Sequence, residues 1–177
     1  MCQEHATSPE SAGRPLRRRD TNSAPLRRER TILLIEDDTE MRRLLERALT
    51  RDDYTVVAVE DGDQALDWLG LCLFDGSLEN VPALIVSDVR LPHFSGLELL
   101  EGLLCAAQEI PVILITGFPS EETYAEAFEL GAARVLAKPF DLDELRLAVF
   151  TVLEAWSVAL PNLHTRERGG GWTKLSA

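Results

Sequence analysis

The 177-residue sequence predicts an α/β fold, a doubly wound five-stranded parallel sheet with helices on both faces. Three observations lead there. Five short apolar runs alternate with segments of helical period. Most of the runs are continuous rather than alternating, as parallel strands covered on both faces require. Three of the helical segments also open on capping signals.

Taken in order, "ILLI" (32–35) is the first strand, and Met41, Leu44, Leu45, Ala48 and Leu49 then repeat at i, i+3, i+4, i+7 and i+8, the stripe of a helix buried on one side. "YTVVAV" (54–59) is the second strand, followed by a helix over 62–73 that Asp61 and Gln64 introduce in the manner of a capping box. "ALIVS" (83–87) is the third, and Ser95 with Glu98 forms a full capping box ahead of a helix over 95–107. "PVILI" (111–115) precedes a helix over 120–130, and "RVLA" (134–137) precedes one over 141–159, where Asp141 and Glu144 again imitate the box. Right-handed crossovers wind five such units into one sheet, and ligands of such sheets sit outside the carboxyl ends of the strands.

The charge divides the chain into three parts. Residues 1–30 carry seven Arg against four acids and residues 161–177 three basic residues against one, so 31–160 holds −17 of the net −12, from eight basic and 25 acidic residues. A surface so acidic repels nucleic acid and suits a divalent cation or a basic partner patch. Residues 1–30, rich in Pro, Ser and Arg with little to bury, read as a disordered extension whose clusters Arg17–Arg19 and Arg27–Arg30 are a solvated tail or a contact for phosphates or an acidic partner. Residues 161–177 read as a flexible tail in which Trp172 has no neighbour to dock against. Cys2, Cys72 and Cys105 have no paired spacing and read as reduced thiols of a cytoplasmic protein. No run approaches the ~20 apolar residues of a membrane span, and no secretory h-region opens the chain.

The chemistry gathers at the carboxyl edge: Glu36, Asp37 and Asp38 follow the first strand, Asp88 the third, Thr116 and Gly117 the fourth, Lys138 and Pro139 the fifth. Acids beside a strand end are common solvated punctuation, and a lone Thr or Lys says less still. Their conjunction on successive βα units describes a phosphoryl-transfer site. Glu36, Asp37 and Asp88 offer oxygens to Mg²⁺, which takes few protein ligands and keeps several waters. Lys138 supplies a fixed ammonium and Thr116 a hydroxyl for the phosphoryl oxygens. Asp88, a carboxylate at the mouth of a buried strand, is placed to attack phosphorus and become an aspartyl phosphate.

The segments "LLIEDDTEMRRLL", "LIVSDVRLPHFSGLELL", "VILITG" and "GAARVLAKPFDLDEL", in this order, resemble the receiver domains of bacterial two-component response regulators across 31 to about 158. The resemblance implies a flavodoxin-like sheet with Asp88 as phosphoacceptor, Asp37 and the Arg90 backbone carbonyl as direct Mg²⁺ ligands, and Glu36 holding the ion through water. It further implies Thr116 as switch hydroxyl, Lys138 as phosphate-pairing lysine, and a cis bond from Lys138 to Pro139. Asp38 falls at a variable position. Where the family usually has Tyr or Phe, three residues before the lysine, the chain has Val135, which puts an aromatic rotamer switch in doubt. The connection "LCLFDGSLENVPA" (71–83) is longer than in the family. His93, in the loop after Asp88, reads as an exposed loop residue, Met41 and Trp68 as core, and Trp156 as either core or partner-facing.

The resulting expectation is a stand-alone receiver that takes its phosphoryl group from a sensor histidine kinase or a histidine phosphotransfer protein. It signals to a protein target through the fourth helix, fifth strand and fifth helix, with no direct DNA binding. It is no enzyme beyond self-catalysed transfer and slow autodephosphorylation, since Phe118 cannot orient a hydrolytic water and Arg90 is long enough to cover its approach. Two rivals are a receiver-like interaction module independent of phosphorylation and a phosphatase of the haloacid dehalogenase type. The latter places its Asp after the first strand in a DxD arrangement that "EDDTE" does not complete with the usual neighbours.

Overall fold

The computed structural model describes residues 30–74 and 81–159. Strands and helices alternate without exception among them: β1 (Thr31–Ile35), α1 (Thr39–Arg51), β2 (Thr55–Val59), α2 (Gly62–Phe74), β3 (Leu84–Asp88), α3 (Gly96–Cys105), β4 (Val112–Thr116), α4 (Glu121–Glu129), β5 (Arg134–Ala137) and α5 (Leu142–Ala159). All pairings are parallel and the spatial order is β2-β1-β3-β4-β5. The chain builds outward from β1 to β2, then returns past β1 to β3 and runs the other way. The reversal leaves a crevice at the carboxyl ends of β1 and β3, because the helices that follow these two strands depart to opposite faces of the sheet.

Apolar continuity in the strands matches burial on two sides. Ile32, Leu34, Val86, Ile113, Ile115 and Leu136 pack with Leu45 and Leu49 of α1 and Leu145 and Val149 of α5. Leu33, Ile35, Ile85 and Leu114 point the other way, onto Ala65 and Leu69 of α2, Leu99 and Leu103 of α3, and Ala127 of α4. Residues 32–35 of β1 and 112–115 of β4 are without solvent exposure. Alternation of side chains along a strand therefore feeds two cores at once.

Helix starts follow the sequence signals closely. Ser95 and Glu98 form the complete capping box of α3, and the Gln64 amide donates to the Asp61 side chain at 2.8 Å. At α5 the Glu144 amide donates to the Asp141 carbonyl at 3.0 Å. Two further caps complete the set. Asp38 caps α1 by accepting from the Met41 amide at 2.7 Å, and Ser120 caps α4 by accepting from Thr123. Asp38 is thus occupied by local helix geometry, which separates it from the two acids that precede it.

Three expectations need correction. The apolar stripe of α1 is narrower than its periodicity suggests: Leu45, Ala48 and Leu49 are buried, Met41 is half-buried, and Leu44 is 46% exposed beside Met41 and Arg47. Helix α1 packs on β1, β2 and α5, and the residue at the flank of its stripe stays wet. Helix α2 continues to Phe74, so it takes up the start of the connection expected from residue 71; residues 75–80 of that connection lie outside the described part. Asp88 and Thr116 close β3 and β4 rather than following them, because the ladder extends to the pairs Asp88–Ile115 and Thr116–Ala137.

Residues 1–29 and 160–177, with the Arg clusters through Arg28, Cys2 and Trp172, lie outside the described residues. Arg30 is described: its carbonyl accepts from the Thr55 amide and its guanidinium pairs with Glu154 at 3.3 Å. Cys72 is a buried free thiol and Cys105 an exposed one. Met41 and Trp68 pack against the two cores. Trp156 is half-buried and its indole donates to the Glu109 carbonyl at 3.1 Å. No described helix is long and apolar enough to cross a membrane.

The contrast within α1 is measurable. Leu45→Ala should cost about 3 kcal/mol in urea unfolding, as a cavity opens under the sheet, whereas Leu44→Ala should cost under about 1 kcal/mol.

Candidate functional site

Among the described residues the buried polar side chains are Glu36, Ser87, Asp88 and Thr116, and all four lie at the carboxyl ends of β1, β3 and β4. An apolar sheet tolerates such groups only where they are paired. The partner arrives from β5. Lys138, just beyond that strand, donates from Nζ to both oxygens of Glu36 at 3.0 and 2.9 Å and to Oδ2 of Asp88 at 2.5 Å. The other Asp88 oxygen, Oδ1, accepts from the Arg90 amide at 2.7 Å. Both oxygens of the carboxylate are therefore held, one by an ammonium and one by the backbone of the following loop.

Backbone bonds set these side chains at one height. The Lys138 amide donates to the Thr116 carbonyl at 2.7 Å and the Val89 amide to the Ile115 carbonyl at 2.8 Å. The Lys138–Pro139 bond is cis, as the resemblance implies. The buried Thr116 hydroxyl accepts from the Phe118 amide at 3.1 Å. Gly96 stands behind Asp88, where a Cβ would collide with the Asp88 carbonyl and come within 2.9 Å of the Ser87 hydroxyl. Nothing larger than glycine leaves α3 this close to the strand end. The loop spacing alone did not reveal that requirement.

The electrostatics are unbalanced. Glu36, Asp37 and Asp88 each place a carboxylate oxygen within 4.8 Å of the others, and Asp37 is exposed while the other two are buried. Burial raises the Glu36 carboxyl above its usual range against the pull of Lys138, with the Asp88 charge adding to the rise. Burial alone would lower the Lys138 ammonium, but its bonds to Asp88 and Glu36 outweigh that and its pKa stands above the ordinary lysine value. One ammonium faces three carboxylates. Like charges near 5 Å repel by about 1 kcal/mol in water and about 3 kcal/mol at an effective dielectric of 20. Three carboxylates with no His or Cys form an oxygen donor set that fits a hard divalent cation such as Mg²⁺.

The remaining candidate residues sort by position. Arg90 is exposed, and its guanidinium lies 3.7 Å from the ring centroid of Phe118, which is itself 62% exposed. The loops after β3 and β4 thus touch each other over the carboxyl edge. Val135 is half-buried in the core beneath α2, α3 and α4. Pro139 is exposed. His93 is an exposed loop residue with φ 66°, the left-handed region that a turn demands. Arg42 was not singled out, yet its guanidinium donates to the Glu36 carbonyl at 2.6 Å. An Arg inside a run of charged helix residues carries no signal of that contact.

The response regulator receiver domain profile matches residues 32–150. Sporulation initiation phosphotransferase F of Bacillus subtilis (strain 168) is 32% identical over 118 residues, covering 67% of this chain and 89% of that protein. Regulatory protein AtoC of Escherichia coli (strain K12) is 31% identical over 127 residues, covering 72% of this chain and 26% of AtoC. The chain spans about a quarter of the length of such regulators, 28% and 22% in two further cases. Among solved structures, the non-phosphorylated HemR receiver domain from Leptospira biflexa superposes with a TM-score of 0.61 at 30% identity, covering 70% of this chain and 94% of that one.

The charge imbalance has a direct consequence for stability. In EDTA, Asp37→Asn should melt above the wild type, because it removes one of three crowded charges. Adding Mg²⁺ should raise the melting temperature of the wild type and leave the variant nearly unchanged. Differential scanning fluorimetry reads both arms.

Proposed function

The chain belongs to the response regulator receiver domain family, and from that premise we propose that Asp88 accepts a phosphoryl group from a phospho-histidine on a sensor histidine kinase or a histidine phosphotransfer protein. The observation that carries the reading is the convergence of Asp88, Lys138 and two further carboxylates at one strand end. A carboxylate oxygen of Asp88 forms the new bond to phosphorus while the bond to the histidine nitrogen breaks, its electron pair remaining on the imidazole. Lys138 exchanges its hold on the carboxylates for the phosphoryl oxygens, and the Thr116 hydroxyl turns from acceptor to donor toward the same group. Asp37, Asp88 and the Arg90 carbonyl would hold Mg²⁺, with Glu36 close enough to support the ion. Held there, Mg²⁺ would supply positive charge toward the phosphoryl oxygens.

The domain signals by what it contacts. The Lys138–Thr116 backbone bond joins the site to the end of β5, and from there α4, β5 and α5 present the exposed apolar groups Phe128, Leu147 and Phe150 to a protein target. The acidic surface turns away nucleic acid, so the domain makes no direct DNA contact. It acts as a cytoplasmic receiver of the extent seen in sporulation initiation phosphotransferase F, 89% of which it covers. Val135 leaves the switch to Thr116 without an aromatic partner at that position.

Incubation with acetyl phosphate and Mg²⁺ should add one phosphoryl group by intact mass, and Asp88→Asn should abolish it. No addition to the wild type would favour a phosphorylation-independent interaction module. Label retained by the Asn variant would overturn the acceptor assignment.

The Arg90–Phe118 stack supports slow loss of the phosphoryl group. A hydrolytic water must approach in line with the bond to Asp88, from the side that these two loops border. Phe118 offers it no hydrogen bond, and an exposed cation–π pair adds about 0.5–1 kcal/mol to the closed arrangement. Phe118→Asn and Arg90→Asn should each accelerate decay of the phosphoprotein several-fold. Rapid wild-type decay that neither change accelerates would dispose of the shielding idea.

A further inference from the structure

Arg42, in the first turns of α1, is only 14% exposed in its side chain, and its guanidinium turns back toward the loop that holds the acid pair. Nη1 donates to the Glu36 carbonyl at 2.6 Å and to the Asp37 carbonyl at 3.2 Å. Nη2 reaches the Thr39 hydroxyl at 3.5 Å and Oε2 of Glu60 at 3.4 Å. Glu60 follows β2, and its other oxygen accepts from the Gln64 side chain at 3.1 Å, while Gln64 is itself fixed to Asp61 at 2.8 Å through its amide. A run of hydrogen bonds thus leads from the start of α2, through Glu60 and Arg42, to the two backbone units that carry Glu36 and Asp37.

We propose that Arg42 is a positioning residue for cation binding: by holding the carbonyls of Glu36 and Asp37 from one nitrogen, Nη1, it fixes the two carboxylates at the spacing a divalent ion needs. This rests on the reading above that the acids bind Mg²⁺. Three residues link β1 to α1, and Asp37 is exposed, so little else restrains the direction of its side chain. A guanidinium suits the task because it is planar and offers several donors in fixed directions, which lets it bridge adjacent carbonyls and a carboxylate together. An ammonium on a flexible stem cannot span that set.

The electrostatic and positioning effects of Arg42 on the ion have opposite signs, which makes the proposal testable. Removing a positive charge near a cation site should tighten Mg²⁺ binding by Coulomb's law, whereas removing a clamp on the ligands should loosen it. Titration calorimetry with MgCl₂, with melts in EDTA alongside, should compare the wild type with Arg42→Met, Arg42→Lys and Arg43→Gln, the last an exposed neighbour on the same helix. Arg42→Met should weaken Mg²⁺ binding about tenfold. Arg42→Lys, which keeps the charge and guards against misfolding of the Met variant, should weaken it several-fold. Arg43→Gln should bind as tightly as the wild type or more so. Unchanged or tighter binding in both folded Arg42 variants, even with a lower melting temperature in EDTA, would overturn the positioning role. A wild type that binds no Mg²⁺ would instead sink the acid-site reading, and the proposal with it.

Discussion

Lys138 makes the carboxyl edge of this sheet possible. Glu36 and Asp88 sit in side-chain environments that are 1% and 9% exposed, at the ends of strands whose other residues are wholly apolar or small. Two carboxylates so far from water are unfavourable unless a counter-charge and hydrogen bonds replace their hydration. The ammonium supplies both, to both acids, from the opposite side of β4. The ends of β1, β3 and β5 are thereby tied by one side chain, and the separation of 102 residues between Lys138 and Glu36 shows how non-local that tie is. Under the proposed function the same ammonium becomes the group that meets the incoming phosphoryl oxygens, so the feature that permits burial is also the one that responds to phosphorylation.

The compensation is incomplete, and the remainder has functional value. One lysine against three carboxylates leaves a local excess of negative charge, set within a core region of −17. A site left in this condition has more to gain from a divalent cation than one balanced within the protein. Restraint of the acids is then as relevant as their number. Asp88 is pinned at both oxygens and Glu36 is buried, whereas Asp37 lies on an exposed linker whose backbone is held by Arg42. Glycine at position 96 completes the setting by letting the start of α3 approach the backbone of Asp88.

Around this centre the loops after β3 and β4 meet through Arg90 and Phe118, and β5 carries the lysine. The site is consequently assembled from the ends of β1, β3, β4 and β5, while β2 contributes at one remove through Glu60. Short links join β4 to α4 and β5 to α5, and under the proposed function a change in what Lys138 or Thr116 contacts would reach those helices through backbone. Sheet interiors are packed too tightly to absorb such a change locally.

Local period was enough to give the alternation of five strands and five helices, though not every boundary or buried face. The continuous runs such as "VILIT" could only be covered on both faces, and the Ser95–Glu98 box fixed the start of α3 within a residue. The set Glu36, Asp37, Asp88, Thr116 and Lys138 was legible because each follows or closes an apolar run, and parallel topology brings all such ends to one edge. What the tertiary structure alone decided depends on distance across the sheet. That Leu44 stays exposed is not written in its place in the stripe of α1. That Asp38 serves the helix while Asp37 faces the site follows from the turn between them. The grip of Arg42 on two carbonyls, the stacking of Arg90 on Phe118, and the demand for glycine at 96 arise from contacts between chain segments whose relative placement no local pattern encodes. Local free energies select strands, helices and caps, but the direction of a long side chain is settled only when another segment supplies its partner.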